Sequence, residues 1–268
     1  MRERPYTLLS CCMSIDGYLD DAGPNRLTLS NEADLDRVDE VRAGCDAILV
    51  GAATVRNDDP RLLVRSQRRR DARVALGCTE SPVKVTVTVG ARLDPGAAFF
   101  TTGDVTKLVY CASAAAPAAR GRLAHVATVV DAGAQVRMRT LSEDLHARGV
   151  RRLMVEGGGT VLTQFLADGL ADELQVAVAP FFVGDSQARR LVGDGRFPWH
   201  PGRRADLAEV RQVGDVVLMR YALSDRYAPD GAPSPPGAGL APQVADLTTP
   251  SYAGASQQLL ASSVVPVR

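Results

Sequence analysis

Short apolar runs alternate with stretches of helical spacing along most of the chain. The run YTLLSCCM, at residues 6–13, predicts a buried strand, and NEADLDRVDEVRAG, behind Ser30 or Asn31 as the cap, predicts the helix that follows. Five further apolar runs predict strands: AILVG, VKVTVTV, KLVYC, ATVV and RLMVE, at residues 47–51, 83–89, 107–111, 127–130 and 152–156. Helical stretches such as TLSEDLHARG and TVLTQFLADGL lie between several of them. Apolar strands that alternate with helices favour a mostly parallel sheet covered on both faces, which is the α/β class.

The last third of the chain departs from this alternation. No helical pattern is obvious between the runs ELQVAVAPFFVG and DVVLMRYAL, so we expect an antiparallel edge on the sheet. From residue 226 the sequence is rich in Ala, Pro, Ser and Gly and has no sustained period. We therefore predict one domain over residues 1–225 and a flexible tail over 226–268, with a docking peptide at QQLLASSVVPV as the alternative.

Composition narrows the classes of partner. The 268 residues include 31 basic and 31 acidic side chains, so no overall field attracts nucleic acid or an anionic membrane, and no apolar run reaches membrane-spanning length. A small neutral or mixed-charge ligand is the better expectation. The five cysteines show no CxxC spacing, which favours inert thiols in a reducing cytoplasm. The three histidines lack metal-ligand spacing, so we expect no metal.

Polar or glycine-rich stretches follow three of the predicted strands. They are MSIDG after the first strand, GAATVRNDDPRLLVR after the second, and VEGGGT before the helix that we expect to begin near Thr160. Ligands of open parallel sheets bind beyond the carboxyl ends of the strands. The glycines of VEGGGT allow close approach of a nucleotide phosphate to the helix, although tight strand-to-helix packing would explain them equally well. The chain has neither GxGxxG nor GK[ST].

Together these stretches resemble a known family. MSIDGYL, VRAGCDAILVGAATVRNDDPRLLVR and LMVEGGGTVLTQFLADGLADELQVAVAPFFVG are similar in order and spacing to the pyrimidine reductase of riboflavin biosynthesis, across residues 5–223. The resemblance implies a dihydrofolate-reductase-like, three-layer α/β/α fold with a mostly parallel central sheet and an antiparallel edge. It also implies a homodimer that uses NADPH to reduce the ribosyl group of a 5′-phosphoribosylaminopyrimidine to the ribityl form.

The resemblance further implies a set of site residues. The cofactor contacts it implies are Cys12, Thr54, Asp58, Gly157, Gly158, Gly159, Thr160 and Val161. The substrate contacts it implies are Asn25, Arg42, Leu62, Arg65 and Glu156. Their chemistry suits these roles, because two arginines can fork onto a phosphate and Glu156 can accept hydrogen bonds from ribose hydroxyls or amino groups. We assign Asp58 to orienting the reacting groups as the catalytic residue.

Each assignment has a structural alternative. Asp58 or Asp59 could cap the turn before Pro60, Arg42 could be a solvated helix residue, and Glu156 could simply end its strand. The basic run RSQRRRDAR is a solvated loop by default, or a source of positive potential near the NADPH 2′-phosphate.

The sequence also departs from the family pattern. Many relatives have Asp-Ser where this chain has Thr88 and Val89, and the bacterial bifunctional enzymes carry a lysine near Ser10. No zinc-deaminase motif is present, so we expect a stand-alone reductase. A reductase of another heterocycle, or a non-catalytic nucleotide-binding module, is the alternative function.

Overall fold

A single mixed sheet of nine strands organises the protein. The computed structural model describes residues 3–23 and 27–228. The strands are β1 (Tyr6–Ser14), β2 (Ala47–Gly51), β3 (Val83–Thr88), β4 (Lys107–Cys111), β5 (Thr128–Asp131), β6 (Arg152–Gly157), β7 (Glu173–Ala179), β8 (Asp206–Val213) and β9 (Val216–Ala222). The helices are α1 (Glu32–Ala43), α2 (Ala52–Asp58), α3 (Gln67–Ala75), α4 (Ala98–Thr101), α5 (Ala116–Leu123), α6 (Met138–Ala147) and α7 (Gly159–Ala167).

The strand order is β5-β4-β3-β2-β6-β1-β7-β9-β8. Pairing is parallel from β5 to β7 and antiparallel where β9 joins β7 and β8. The predicted mostly parallel sheet with an antiparallel edge is confirmed. Because β6 lies between β2 and β1, the carboxyl ends of these three strands lie side by side at the centre of one sheet edge. The stretches MSIDG, GAATVRNDDPRLLVR and VEGGGT, which follow or end these strands, therefore lie at the same edge.

Helices cover the sheet on both faces, as the apolar strands require. Leu9, Leu49 and Val155 belong to a core cluster with α6 and α7, whereas Leu8 and Ile48 belong to a second cluster with side chains of α1, α2 and α4. Alternate residues of a strand point to opposite faces, so a run that is apolar throughout supplies both cores. The three-layer α/β/α architecture follows from this.

Three segments differ from the sequence-based expectation. Strand β8 escaped prediction because most of its side chains are exposed and half of its sequence, DLAEVRQV, is polar, so it contains no apolar run. The polar segment after β2 folds into the short helix α2 instead of a single turn. The expected solvated loop at RSQRRRDAR was wrong, since most of this run forms helix α3. Residues 229–268, which hold nearly all of the predicted tail, lie outside the described residues.

Candidate active site

The glycine-rich turn between β6 and α7 is shaped by three different constraints. Gly157 has a φ of +122°, which L-residues rarely adopt, and a Cβ placed on it would meet nothing within 4 Å. A Cβ on Gly158 would lie 3.2 Å from the Thr54 hydroxyl, and one on Gly159 would lie 2.7 Å from the Arg190 carbonyl oxygen. The turn is therefore packed behind Gly158 and Gly159 and open in front of Gly157.

Helices α2 and α7 meet at this turn. Val161, which is 5% exposed, packs so closely on the end of β2 that a Cβ on Gly51 would lie 3.1 Å from its Cγ2 atom. Thr160, in contrast, is exposed at the first turn of α7. The structure thus brings Thr54, the glycine turn and the start of α7 together, although residues 54 and 158 are far apart in the sequence.

Arg42 and Glu156 form a bidentate ion pair beneath the turn. The Nε and Nη2 atoms of Arg42 each donate to a Glu156 carboxylate oxygen at 2.6 Å, and Nη1 donates to the Leu63 carbonyl at 3.3 Å. Their side chains are 17% and 14% exposed. Burial opposes the charged guanidinium, but the Glu156 carboxylate outweighs it and raises the Arg42 pKa. The arginine fork that we expected to face a phosphate is engaged by Glu156 here.

Arg65 and Leu62 lie on the segment that connects α2 to α3. The Arg65 side chain is 55% exposed, and its Nη2 atom donates to the Leu35 carbonyl of α1 at 2.5 Å. The buried Asp39 carboxylate accepts the Arg65 and Ser66 amides, which fixes the segment against α1. Leu62 is only 2% exposed and has a φ of +48°, so its side chain belongs to the core, and a ligand could meet only its backbone.

The two adjacent aspartates have different settings. Asp59 adopts a left-handed conformation at the end of α2, and its carboxylate accepts the Ala98 amide at 2.6 Å. This residue therefore caps the chain at α4, in keeping with a turn residue before Pro60. Asp58 is the last residue of α2 and is half-buried. Their sequence neighbourhood is the same, and only the fold separates a structural carboxylate from a candidate catalytic one.

Cys12 and Asn25 complete the predicted set. Cys12 lies on β1 and is half-buried beside Ala177, and burial raises the pKa of its thiol to about 12. Burial also raises the pKa of Cys11, Cys45, Cys78 and Cys111, so all five thiols stay protonated at neutral pH. Asn25 lies outside the described residues.

The loop after β7, which includes residues 183–191, packs against the glycine turn. The sequence analysis did not assign this loop to the site. Leu19 donates its amide to the Arg189 carbonyl, and the Leu191 amide donates to the Gly17 carbonyl. Asp16 accepts the Val183 and Gly184 amides, which ties the end of β1 to the same loop. The sequence analysis singled out MSIDG because it follows a strand. The loop that it contacts carries no recognisable sequence pattern. Only the close approach of the Arg190 carbonyl to Gly159 shows that this loop borders the site.

Two arginines of α3, Arg69 and Arg73, pack against α1. Arg69 pairs with Asp36 at 2.6 Å and with the buried Asp39 at 3.0 Å. Arg73 donates to the Ala43 and Cys45 carbonyls, at the far end of α1. These contacts account for Arg69 and Arg73 without a phosphate ligand.

Within residues 3–23 and 27–228, no group of three or more His, Cys, Asp and Glu side chains is placed to hold a metal ion. No helix in that part of the chain is long and apolar enough to cross a membrane.

Several known proteins are similar to this chain in sequence. The sequence profile of the RibD C-terminal domain matches residues 5–219. The chain is 38% identical to the 2,5-diamino-6-ribosylamino-4(3H)-pyrimidinone 5′-phosphate reductases of Methanothermobacter thermautotrophicus and Archaeoglobus fulgidus, over 82% and 81% of its length and 99% of theirs.

Solved structures share the fold. A pyrimidine reductase-like protein from Corynebacterium diphtheriae superposes with a TM-score of 0.70 at 22% identity, over 81% of this chain and 91% of that one. Acinetobacter baumannii RibD superposes with a TM-score of 0.67 at 24% identity, over 82% of this chain and 58% of that longer one.

Proposed function

The chain belongs to the RibD C-terminal domain family, and on that premise we propose that it reduces 2,5-diamino-6-ribosylamino-4(3H)-pyrimidinone 5′-phosphate in riboflavin biosynthesis, with NADPH as the reductant. The two archaeal relatives named for this substrate match at 38% identity over 99% of their length, whereas the Bacillus amyloliquefaciens RibD matches at 26% over 58%. The names of these two more similar relatives favour the diamino pyrimidine as the substrate.

The observation that carries the proposal is the convergence of Thr54 and Arg42–Glu156 on one glycine turn. The turn fits a dinucleotide, because the space in front of Gly157 is open and the main chain there can be approached closely. Thr54, at the back of Gly158, would supply a hydroxyl to the cofactor. When bound, NADPH supplies the hydride that reduces C1 of the ribosyl group.

The chain's own residues then bind and orient the substrate. Glu156, held in one orientation by the Arg42 fork, accepts hydrogen bonds from the ribose hydroxyls or the pyrimidine amino groups. Of the two arginines that the sequence analysis assigned to the substrate, Arg65 has the more exposed side chain, so we assign the 5′-phosphate to it and a positioning role to Arg42. Asp58 orients the reacting end of the substrate. Holding the reactants in place supplies much of the rate, by about 7–11 kcal/mol in favourable systems.

The direct test is turnover with the two candidate pyrimidines. We expect the purified chain to oxidise NADPH with the diamino substrate and to do so with a higher kcat/KM than with the deaminated one. A preference for the deaminated pyrimidine would reverse the substrate assignment. If neither compound oxidised NADPH, the place in riboflavin biosynthesis would be refuted.

A homodimer and a cytoplasmic location are parts of the same proposal. Leu207 and Val210 on the edge strand β8, and Val217 on its neighbour β9, are 57%, 56% and 43% exposed, and proteins usually cover such an edge. The five free cysteines suit a reducing compartment. We expect sedimentation to show a dimer for the full chain and for a chain that ends at residue 228, and a monomer for Val210→Glu. A wild-type monomer at micromolar concentration would contradict the assembly.

A further inference from the structure

Helix α1 holds the main chain around Arg65 through one buried carboxylate. Asp39 is 1% exposed, and its two carboxylate oxygens accept the amides of Arg65 and Ser66, the latter at 3.1 Å. Arg69 pairs with the same carboxylate at 3.0 Å. Burial opposes the charged form of Asp39, but the two amides and Arg69 outweigh it and lower its pKa. One anion therefore holds two successive amides of the segment that connects α2 to α3.

The same helix also holds the Arg65 side chain. Its Nη2 atom donates to the carbonyl of Leu35, one turn before Asp39, and its Nε atom lies 3.7 Å from the Asp39 carboxylate. The side chain nevertheless remains 55% exposed. The guanidinium thus has a defined place at the surface of α1, and its fork keeps N–H groups for a ligand.

Helix α1 connects this arginine to the second group that the proposed function assigns to the substrate. Arg42 lies three residues after Asp39, on the same side of the helix, and its fork orients Glu156. Its Nη1 atom also donates to the Leu63 carbonyl, two residues before Arg65. Each helical residue rises about 1.5 Å, so Asp39 and Arg42 are about 4.5 Å apart along the axis. A single helix therefore sets the spacing between the two substrate groups.

We propose that Asp39 is a positioning residue that pre-organises Arg65 for the 5′-phosphate of the substrate. The inference rests on the proposed function for the identity of that phosphate. An arginine that is already ordered loses less rotamer freedom when it binds an anion than a mobile one does. The charge of Asp39 by itself disfavours a phosphate nearby. Positioning and electrostatics therefore predict opposite effects when the Asp39 charge is removed.

Calorimetry with ribose 5-phosphate tests this inference without any turnover. We expect Arg65→Ala to weaken binding about tenfold, and Asp39→Asn, which keeps the shape but loses the charge and one acceptor, to weaken it about three- to tenfold. Asp46→Asn is the matched control. The Asp46 carboxylate likewise accepts two successive amides, those of Arg151 and Arg152, each at 2.8 Å, but it lies at the opposite, amino end of β2. This variant should lower Tm and leave the dissociation constant unchanged.

A second variant keeps the Asp39 charge. Ser66 has a φ of −67°, which proline shares, so Ser66→Pro removes the amide donor without removing a charge. Electrostatics alone predicts no change in phosphate binding for this variant, whereas positioning predicts binding that is about two- to threefold weaker. Ser66→Pro also tests the inference should Asp39→Asn fail to fold.

Steady-state kinetics complete the test. Asp39→Asn should raise the substrate KM about three- to tenfold, while kcat and the NADPH KM stay within about twofold. Tighter or unchanged ribose 5-phosphate binding by Asp39→Asn would overturn the inference, and so would unchanged binding by Arg65→Ala or Ser66→Pro. Equal weakening by Asp46→Asn would assign the effect to general destabilisation and overturn it as well. If wild type oxidised no NADPH but bound ribose 5-phosphate with this dependence on Asp39, the reductase proposal would fail and the inference would stand.

Discussion

Loss of the Arg42 side chain should destabilise the protein because it leaves the Glu156 carboxylate largely buried without its partner. The pair joins α1 to β6 through two hydrogen bonds of 2.6 Å, with side chains 17% and 14% exposed. Unit charges about 4 Å apart attract by about 4 kcal/mol at an effective dielectric constant near 20. Desolvation of both groups offsets part of this attraction.

We therefore expect Arg42→Ala to lower the free energy of unfolding by about 2–3 kcal/mol, since removing one partner of a fully buried pair costs about 3–5 kcal/mol and this pair keeps some contact with water. For a domain of this size, the corresponding fall in Tm is about 5–10 °C. Glu156→Gln keeps the shape and one hydrogen bond, so its cost should be smaller.

Urea unfolding of a double-mutant cycle measures the pair. Adding Glu156→Gln to Arg42→Ala removes the stranded carboxylate, so the double variant should be no less stable than Arg42→Ala alone. Arg122→Ala provides the control for loss of an exposed arginine. If the two single losses simply added, within about 0.5 kcal/mol, the carboxylate would not depend on Arg42 and the reasoning would be refuted.

Three further predictions follow from the same geometry. Gly159→Ala would place a Cβ 2.7 Å from the Arg190 carbonyl oxygen and should lower Tm by several degrees. Gly121→Ala in α5, where a Cβ meets nothing within 4 Å, should leave Tm unchanged or raise it. Equal effects of the two variants in thermal melts would contradict the packing argument. Asp58→Asn should lower kcat with little change in substrate KM, and Asp59→Asn should affect Tm more than kcat; a silent Asp58→Asn in steady-state kinetics would assign that carboxylate to the fold. Desolvation opposes ionisation of Asp16, but the Ser14 hydroxyl and the Val183 and Gly184 amides outweigh it and lower its pKa to about 2. Because the pKa of Asp16 is lower in the folded protein than its unfolded value of about 3.9, the charged carboxylate stabilises the fold at pH values above about 3.9. The Tm advantage of wild type over Asp16→Asn should therefore persist above about pH 5 and shrink as the pH falls from about 4 to 2. A Tm advantage independent of pH would rule out the charged form as its cause.

The sequence by itself determined the class of fold and predicted where the site lies. Strands such as β2 and β4 are apolar on both faces, and that pattern specifies a covered parallel sheet without reference to distant residues. The same reasoning predicted which edge of the sheet binds a ligand, because a strand's carboxyl end is known once the strand is known. It missed β8, because half of its residues are polar and most are exposed, so the sequence gives no burial signal; β8 forms only because β9 offers an edge to pair with.

Only the tertiary structure decided what individual polar residues do. Arg42 and Glu156 are each plausible phosphate or hydroxyl ligands when considered alone, and their bidentate pairing depends on α1 crossing the end of β6. Arg69 and Arg73, in the basic run of α3, are used to pack against α1. Gly158 faces Thr54 and Gly159 faces Arg190, although the two are adjacent and identical in the sequence. Charge and side-chain type are local properties, but the partner of a charge is set by chain segments far apart in sequence, so their pairing is fixed only when the sheet brings them together.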